Sequence, residues 1–452
     1  MSTALVPISG LPPETLSQIF MIVAEPFDGT RSFYSSFKRH PLVAIASVCA
    51  RWRKIAITTP LLWSHIHMDE HFVSKQLSTN AHRWIKLWLE RSDGAPLSLR
   101  FEREESGRPD VDQTASFLQP HISKVTSLVF HKSSDKLVHA IFSLDGTFSP
   151  STPLKTLSMT NIRATEPTMP KFTWPVENLR GLRRLALCGL PNTFIPNFGE
   201  LAQMLLNNSD LHTLRIQQYG PNLLHDSSFH KASLRSLKLL ELYYDSHMAL
   251  GQLLSLLEPG TDELDMVLQL PPSIDSKCFQ EIRAFFERAN IARLALIDLR
   301  SDYVTQLSTY LDSSPHLQVL FLDCAPNTNW VTLDALTTTS NGPRAPAGYG
   351  HLGSTSVSCF RPPPAVKSPS LVSDEGSKIR ARCSSLENPS ISNMTLDFEG
   401  QAKLKQIIMV HQLSRVVFGP GMMVHVGPSG TSDSEGFLDW MRQWVPVFRH
   451  LG

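Results

Sequence analysis

Little in this sequence points to chemistry. Six cysteines are scattered through 452 residues with no Cys-x-x-Cys pair, so a paired-thiolate zinc site is not expected and the thiols read as reduced. No charge of one sign is in excess. The 42 Lys and Arg residues against 41 Asp and Glu leave a net +1, which excludes a general nucleic-acid or membrane-surface binder. No apolar run approaches the roughly 20 residues of a membrane span. Residues 1–7 have no basic region and no long apolar core, so no signal peptide is expected. There is no phosphate-binding glycine loop and no Gly-x-Ser-x-Gly elbow. Gly427-Pro428-Ser429-Gly430-Thr431 is Gly-rich, but no Lys follows and Pro removes a donor, so it reads as a loop. His65 and His67 flank Ile66 without further ligands at metal-binding spacing, and read as solvated or core histidines. No catalytic residue, cofactor or metal ion is expected, and no enzyme.

What the chain does have is apolar patterning. Hydrophobic residues make up 42%, enough for a sizeable core in one large domain or two to three ordinary ones. The organising stretch is 11–63. Pro12 and Pro13 suit a first helical turn, and Glu14 sits at its positive end. Leu16, Ile19, Phe20 and Val23 then recur at helical spacing. Pro41 opens a second helix, in which Ile45, Val48, Cys49, Trp52, Ile55 and Ala56 keep one stripe for about three turns. Pro60 ends it near Thr58. A helical unit under about 60 residues buries a smaller share of its surface than a large domain. Some of this apolar surface therefore faces either the rest of the chain or another protein.

These residues resemble the F-box: Leu11-Pro12-Pro13-Glu14, the stripe from Leu16 to Phe20, Val48-Cys49-Ala50-Arg51-Trp52, and Pro60-Leu61-Leu62-Trp63 stand in the family's order. The connection at 25–40 is longer and more polar than the family's. The resemblance implies a three-helix module over residues 5–66 that docks on the Skp-type adaptor of a cullin-RING (SCF) ubiquitin ligase. Leu11, Pro12, Leu16, Ile19, Phe20, Val48, Cys49 and Trp52 are its expected adaptor-binding residues.

Residues 69–101 read as a helix and a first strand. Leu77, Ala81, Trp84, Ile85, Trp88 and Leu89 are helically spaced, Asp93-Gly94 offers a left-handed stop, and Leu97-Ser98-Leu99-Arg100-Phe101 alternates. The join Trp88-Leu89-Glu90-Arg91-Ser92 is similar to one common in fungal F-box proteins.

Beyond it, apolar-x-x-apolar-x-apolar recurs from Val125, Leu154, Leu182, Leu211, Leu234, Thr261, Ile291 and Leu317, at steps of 29, 28, 29, 23, 27, 30 and 26 residues. Leucine-rich repeats step by roughly 20–29 residues, so 102–339 is expected to be an irregular leucine-rich-repeat solenoid. Helical segments intervene at 198–205, 250–257 and 279–286. The expected fold class is α plus α/β: a three-helix F-box followed by a curved solenoid with a parallel sheet. On this template Arg184, Arg215, Lys238 and Arg293 face the concave side. Arg184, Arg215 and Lys238 form a basic stripe, with Glu263 and Asp265 at the same positions in the next repeat. Either Lys238 pairs with Asp265 and the rest is solvated surface, or the stripe reads an acidic or phosphorylated client segment.

Residues 340–393 hold 7 Pro, 5 Gly and 12 Ser, too little apolar material to offset ordering entropy. They read as a disordered insert or as a retained intron. Over 394–452, Leu404 to Met409 resumes the repeat, and Phe437, Trp440, Met441 and Trp444 form a terminal capping helix. The function expected is the client-recognition adaptor of an SCF-type ligase, in cytoplasm or nucleus. The alternative is a non-ligase repeat scaffold.

Overall fold

The computed structural model describes residues 8–24, 41–69, 78–102, 111–144, 154–165, 170–218 and 230–299 apart from 245 and 272. Beyond these it describes 310, 313–314, 316–317, 319–324 and short strands at Ser356–Cys359, Pro389–Ser392, Thr395–Leu396, Arg415–Phe418, Met423–Val424 and Val447–His450. Outside the described residues lie the connection 25–40, most of 340–393, the resumed repeat at 404–409, the loop 427–431 and the capping helix at 437–444. The chain divides into two compact units, Met1–Pro196 and Asn197–Gly452.

The first unit opens with α1 (Pro13–Ala24). The single second helix expected from the spacing is two helices, α2 (Pro41–Val48) and α3 (Ala50–Thr58). Between them Cys49 is extended (φ −158°, ψ 169°), and its sulfur accepts the Trp52 N–H. The apolar period runs through this break because one non-helical residue shifts the stripe little. Cys also carries no N-cap signal of the Ser or Asp kind. After α3, Pro60–Trp63 makes a 3-10 turn leading into β1 (His65–Asp69).

Next come α4 (Ser78–Ser92), a stop at Asp93 and Gly94 with φ 22° and 79°, and β2 (Leu97–Glu102) with alternating burial. Then follow α5 (Val111–Leu118), β3 (Val125–His131), α6 (Asp135–Phe142), β4 (Thr156–Thr160) and β5 (Arg184–Cys188). Strands β1 to β5 are parallel and in chain order. Their register sets Ile66, Leu99, Leu128, Leu157 and Leu185 in one row, and Met68, Phe101, Phe130, Met159 and Leu187 in the next. Every one of these is at most 2% exposed, and burying a large apolar side chain contributes about 1.5–3 kcal/mol. Helix α6 covers this face, with Phe142 at 6.3 Å from Phe130.

Strands β3, β4 and β5 each end in a left-handed residue: Lys132 (φ 54°), Asn161 (φ 54°) and Gly189 (φ 57°). The Lys132 N–H donates to the Thr160 carbonyl and the Asn161 N–H to that of Cys188, at 2.8 and 2.7 Å. Each corner is thus bonded to the next.

The second unit contains α7 (Phe198–Leu206), β6 (Thr213–Gln218), β7 (Ala232–Leu234), β8 (Leu239–Tyr244), α8 (His247–Leu256), β9 (Leu257–Pro259), β10 (Leu264–Gln269), α9 (Ser276–Arg288), β11 (Ile291–Leu299) and β12 (Val319–Cys324). Strands β6, β8, β10, β11 and β12 are parallel neighbours in that order, while β7 and β9 pair separately. Two of these three helices, α7 and α9, begin at side-chain caps. Asn197 and Glu200 form a capping box, and Asp275 accepts the Cys278 N–H at 2.7 Å.

Two expected repeat copies are out of register. Leu234 lies in β7, not in the main ladder. The residues aligned with Leu214 are Leu240, Met266, Leu294 and Leu320. The copies that the spacing starts at Leu234 and Thr261 therefore begin at Leu237 and Glu263. The aligned positions are 26, 26, 28 and 26 residues apart, more even than the sequence steps. Leu234 misleads because it satisfies the same apolar spacing one strand early.

Candidate protein-docking surfaces

The three N-terminal helices divide their apolar residues sharply by exposure. Leu16 and Phe20 of α1 are 0% and 1% exposed, and Leu42, Ile45, Ile55 and Ala56 are buried with them. Trp52 is half-buried against Phe20, ring centroids 4.9 Å apart. Of the eight residues expected to bind an adaptor, Leu16 and Phe20 form the module's own core. Leu11, Ile19 and Trp52 are half-buried, and Pro12, Val48 and Cys49 are exposed. The structure adds Ile22, Val23, Ile57 and Leu61, 69, 49, 40 and 49% exposed. Ile22 and Ile57 lie off the helical stripes, so amphipathic counting passes over them. An apolar residue off the stripe was itself the signal.

Polar bonds hold the module together. The Arg51 guanidinium donates to the Leu11 carbonyl, and Arg53 Nε donates to the Ala46 carbonyl at 3.0 Å, covering the end of α2. Trp63 Nε1 donates to the Ala56 carbonyl at 2.7 Å. The Trp63 ring lies under the Arg91 guanidinium at 4.4 Å and meets Trp88 edge-on at 5.8 Å. These contacts and the pairing of β1 with β2 join the helical module to the strands behind it.

In each unit the strand face opposite the leucine rows is a further candidate surface. In the first unit His67, Arg100 and Glu102 cluster there. Glu102 Oε2 is 3.3 Å from His67 Nε2 and 3.4 Å from Arg100 Nη2. The hydrogen bond from His67 and the charge of Arg100 hold the Glu102 carboxyl below its ordinary range, against the effect of burial. Burial pushes His131, beside it in register, below the usual histidine value. Among the described residues no His/Cys/Asp/Glu group is arranged to hold a metal ion.

The expected basic stripe is broken in the second unit. Arg215 Nε pairs with Glu241 at 3.0 Å, its guanidinium 5.6 Å from the Tyr243 ring. Arg293 pairs with Asp265 at 3.3 Å. Asp265 therefore answers Arg293, not Lys238. Lys238 stands one residue ahead of β8, exposed, and its backbone carbonyl takes the Asp265 N–H. The register correction is the reason, since the template placed Lys238 inside a strand. Arg184 opens β5, exposed, in the other unit.

Compared with known families, residues 8–69 match the F-box-like family. The chain thus carries an F-box-like domain, and the match ends at Asp69, the last residue of β1. Among curated proteins no match to the chain is found.

Proposed function

We propose that this chain is the client-recognition subunit of an SCF-type cullin-RING ubiquitin ligase. Its F-box-like domain grips a Skp-type adaptor, and the strand-and-helix body, read as an irregular leucine-rich-repeat solenoid of the fungal F-box kind, holds a client protein. The protein performs no bond chemistry of its own. It raises the effective concentration of client near a ubiquitin-conjugating enzyme, in cytoplasm or nucleus. The observation that carries the reading is the F-box-like match over 8–69, together with large apolar side chains left exposed on those helices. Exposed Ile22, Val48 and Leu61 supply adaptor contacts, with Leu11, Pro12, Ile19, Cys49 and Trp52 around them. Leu16 and Phe20 shape the helices beneath.

Affinity capture from host lysate with the full chain tests this. Recovery of adaptor with cullin supports the ligase reading, adaptor without cullin supports a scaffold, and recovery of neither overturns both. Ile22→Asp, Val48→Asp and Leu61→Asp should each weaken adaptor binding by about tenfold or more, equivalent to ~1.4 kcal/mol, with circular dichroism unchanged.

A further inference from the structure

Three consecutive strands of the first unit are led by cations. Lys124 precedes β3, Lys155 precedes β4, and Arg183 precedes β5, with Arg184 its first residue. All four are exposed. The backbone places these leading segments abreast. The Lys155 N–H donates to the Thr126 carbonyl at 2.8 Å, and the N–H groups of Arg183 and Arg184 both donate to the Lys155 carbonyl at 2.7 and 3.0 Å. Parallel strands lie about 4.8 Å apart, so the three segments span roughly 10 Å.

Several cations elsewhere on the described surface meet carboxylates: Arg180 with Glu177, Lys86 with Glu90, Arg283 with Glu287, Arg215 with Glu241 and Arg293 with Asp265. Among the described residues no carboxylate pairs with Lys124, Lys155 or Arg183. Like charges are crowded here as well, since Lys124 adds to burial in lowering the His121 pKa. In a chain whose overall charge is nearly balanced, this local excess of cations stands out among the described residues.

We propose that the leading edge of strands β3 to β5 docks an acidic, Asp/Glu-rich segment of the client, laid in extended form across Lys124, Lys155 and Arg183. An extended segment rises about 3.3 Å per residue, so about three residues cross the whole edge. Several carboxylates in a row meet several separate cations, whereas a single phosphate favours donors converging on one point. The proposal rests on the reading of the body as the client-holding part. It deepens that reading by naming the client's chemistry and moving the contact from the paired strand face of the second unit to this edge.

The test is fluorescence anisotropy with the full chain and a labelled ten-residue Glu/Asp peptide, against a Gln/Asn peptide of equal length. Binding of the acidic peptide alone is expected. It should weaken at least tenfold in the Lys155→Glu/Arg183→Glu variant, and sharply between about 50 and 200 mM salt, as exposed charge pairs are screened. Millimolar inorganic phosphate should not compete. Equal binding of both peptides, no effect of the double substitution, or full competition by phosphate would each overturn the proposal. So would a single-stranded oligonucleotide of the same charge binding as tightly, since that marks a general polyanion surface. Adaptor capture measured on the same variant separates the two readings. Loss of peptide with adaptor retained bears on the edge alone, and loss of adaptor bears on the F-box.

Discussion

Asp265 of β10 and Arg293 of β11 are register partners on neighbouring parallel strands, and their side chains meet at 3.3 Å. The pair is well exposed, at 37% and 61% of the side chain. It lies one strand over from the Arg215–Glu241 pair, so the face of the second unit carries both signs instead of one charge. Exposed pairs of this kind contribute about 0–1 kcal/mol. Asp265→Asn or Arg293→Gln should therefore shift the urea unfolding free energy by less than about 1 kcal/mol. A loss above ~2 kcal/mol would show that the face is covered, not open.

Gly189 is the corner residue least tolerant of change. Its φ is 57°, and an added Cβ would come within 2.3 Å of Asn161 Oδ1. Gly189→Ala should cost roughly 1–3 kcal/mol from left-handed strain and the clash together. Thermal unfolding measures it. Asn161→Gly added to Gly189→Ala should recover part of the loss, because the clashing amide is gone while the strain remains.

Trp63 closes the F-box-like module through one buried hydrogen bond, from Nε1 to the Ala56 carbonyl. Trp63→Phe keeps most of the apolar bulk but leaves that carbonyl without its donor. It should destabilise the chain by about 1–3 kcal/mol. Leu16→Ala, at a site with no exposed surface, should cost about 2–5 kcal/mol. Loss of adaptor binding in Leu16→Ala should come with lost helicity, unlike the surface changes at Ile22, Val48 and Leu61.

Acid should weaken the fold in two stages. Burial lowers the pKa of His131 and of His139, whose ring meets Phe172 and Phe194 edge-on at 5.1 and 5.0 Å. The unfolded chain takes up these protons below about pH 6.5, while the fold resists them, so their contribution is present above 6.5 and is lost as pH falls from there toward the folded values. Glu102 has a lowered carboxylate pKa. Its contribution is present above its ordinary 4.5 and is lost as pH falls through the lower folded value. Urea midpoints at pH 7.5, 5.5 and 4 should decline in that order and fall further below pH 4. His139→Leu should flatten the first interval. An unchanged first interval in that variant would remove His139 from the account.

Much of this architecture was legible without coordinates. Pro12 and Pro13, the stripe Leu16–Ile19–Phe20 and the stop at Pro60 mark helices whose ends come from local backbone chemistry. The Leu-x-x-Leu-x-Leu spacing announces buried alternating strands, as in Leu154, Leu157 and Met159. Such signals are local, because an N–H that Pro lacks or a period of two is a property of a few neighbouring residues. Register is not local. Leu234 and Leu237 satisfy the same pattern equally well, and only pairing with β6 and β10 selects Leu237 as the start. That choice moves Lys238 out of the strand and gives Asp265 to Arg293. Exposure within the helical module was decided the same way. Leu16 and Val48 look alike in a stripe, but the packing of three helices against one another seals the first and leaves the second in water. Sequence alone determined where most of the helical and strand patterning falls, though not the break at Cys49 or the division of 234–239 between two strands, and that the front module resembles an F-box. Tertiary structure alone decided which of its apolar residues remain free to meet a partner, because burial depends on neighbours that are remote along the chain.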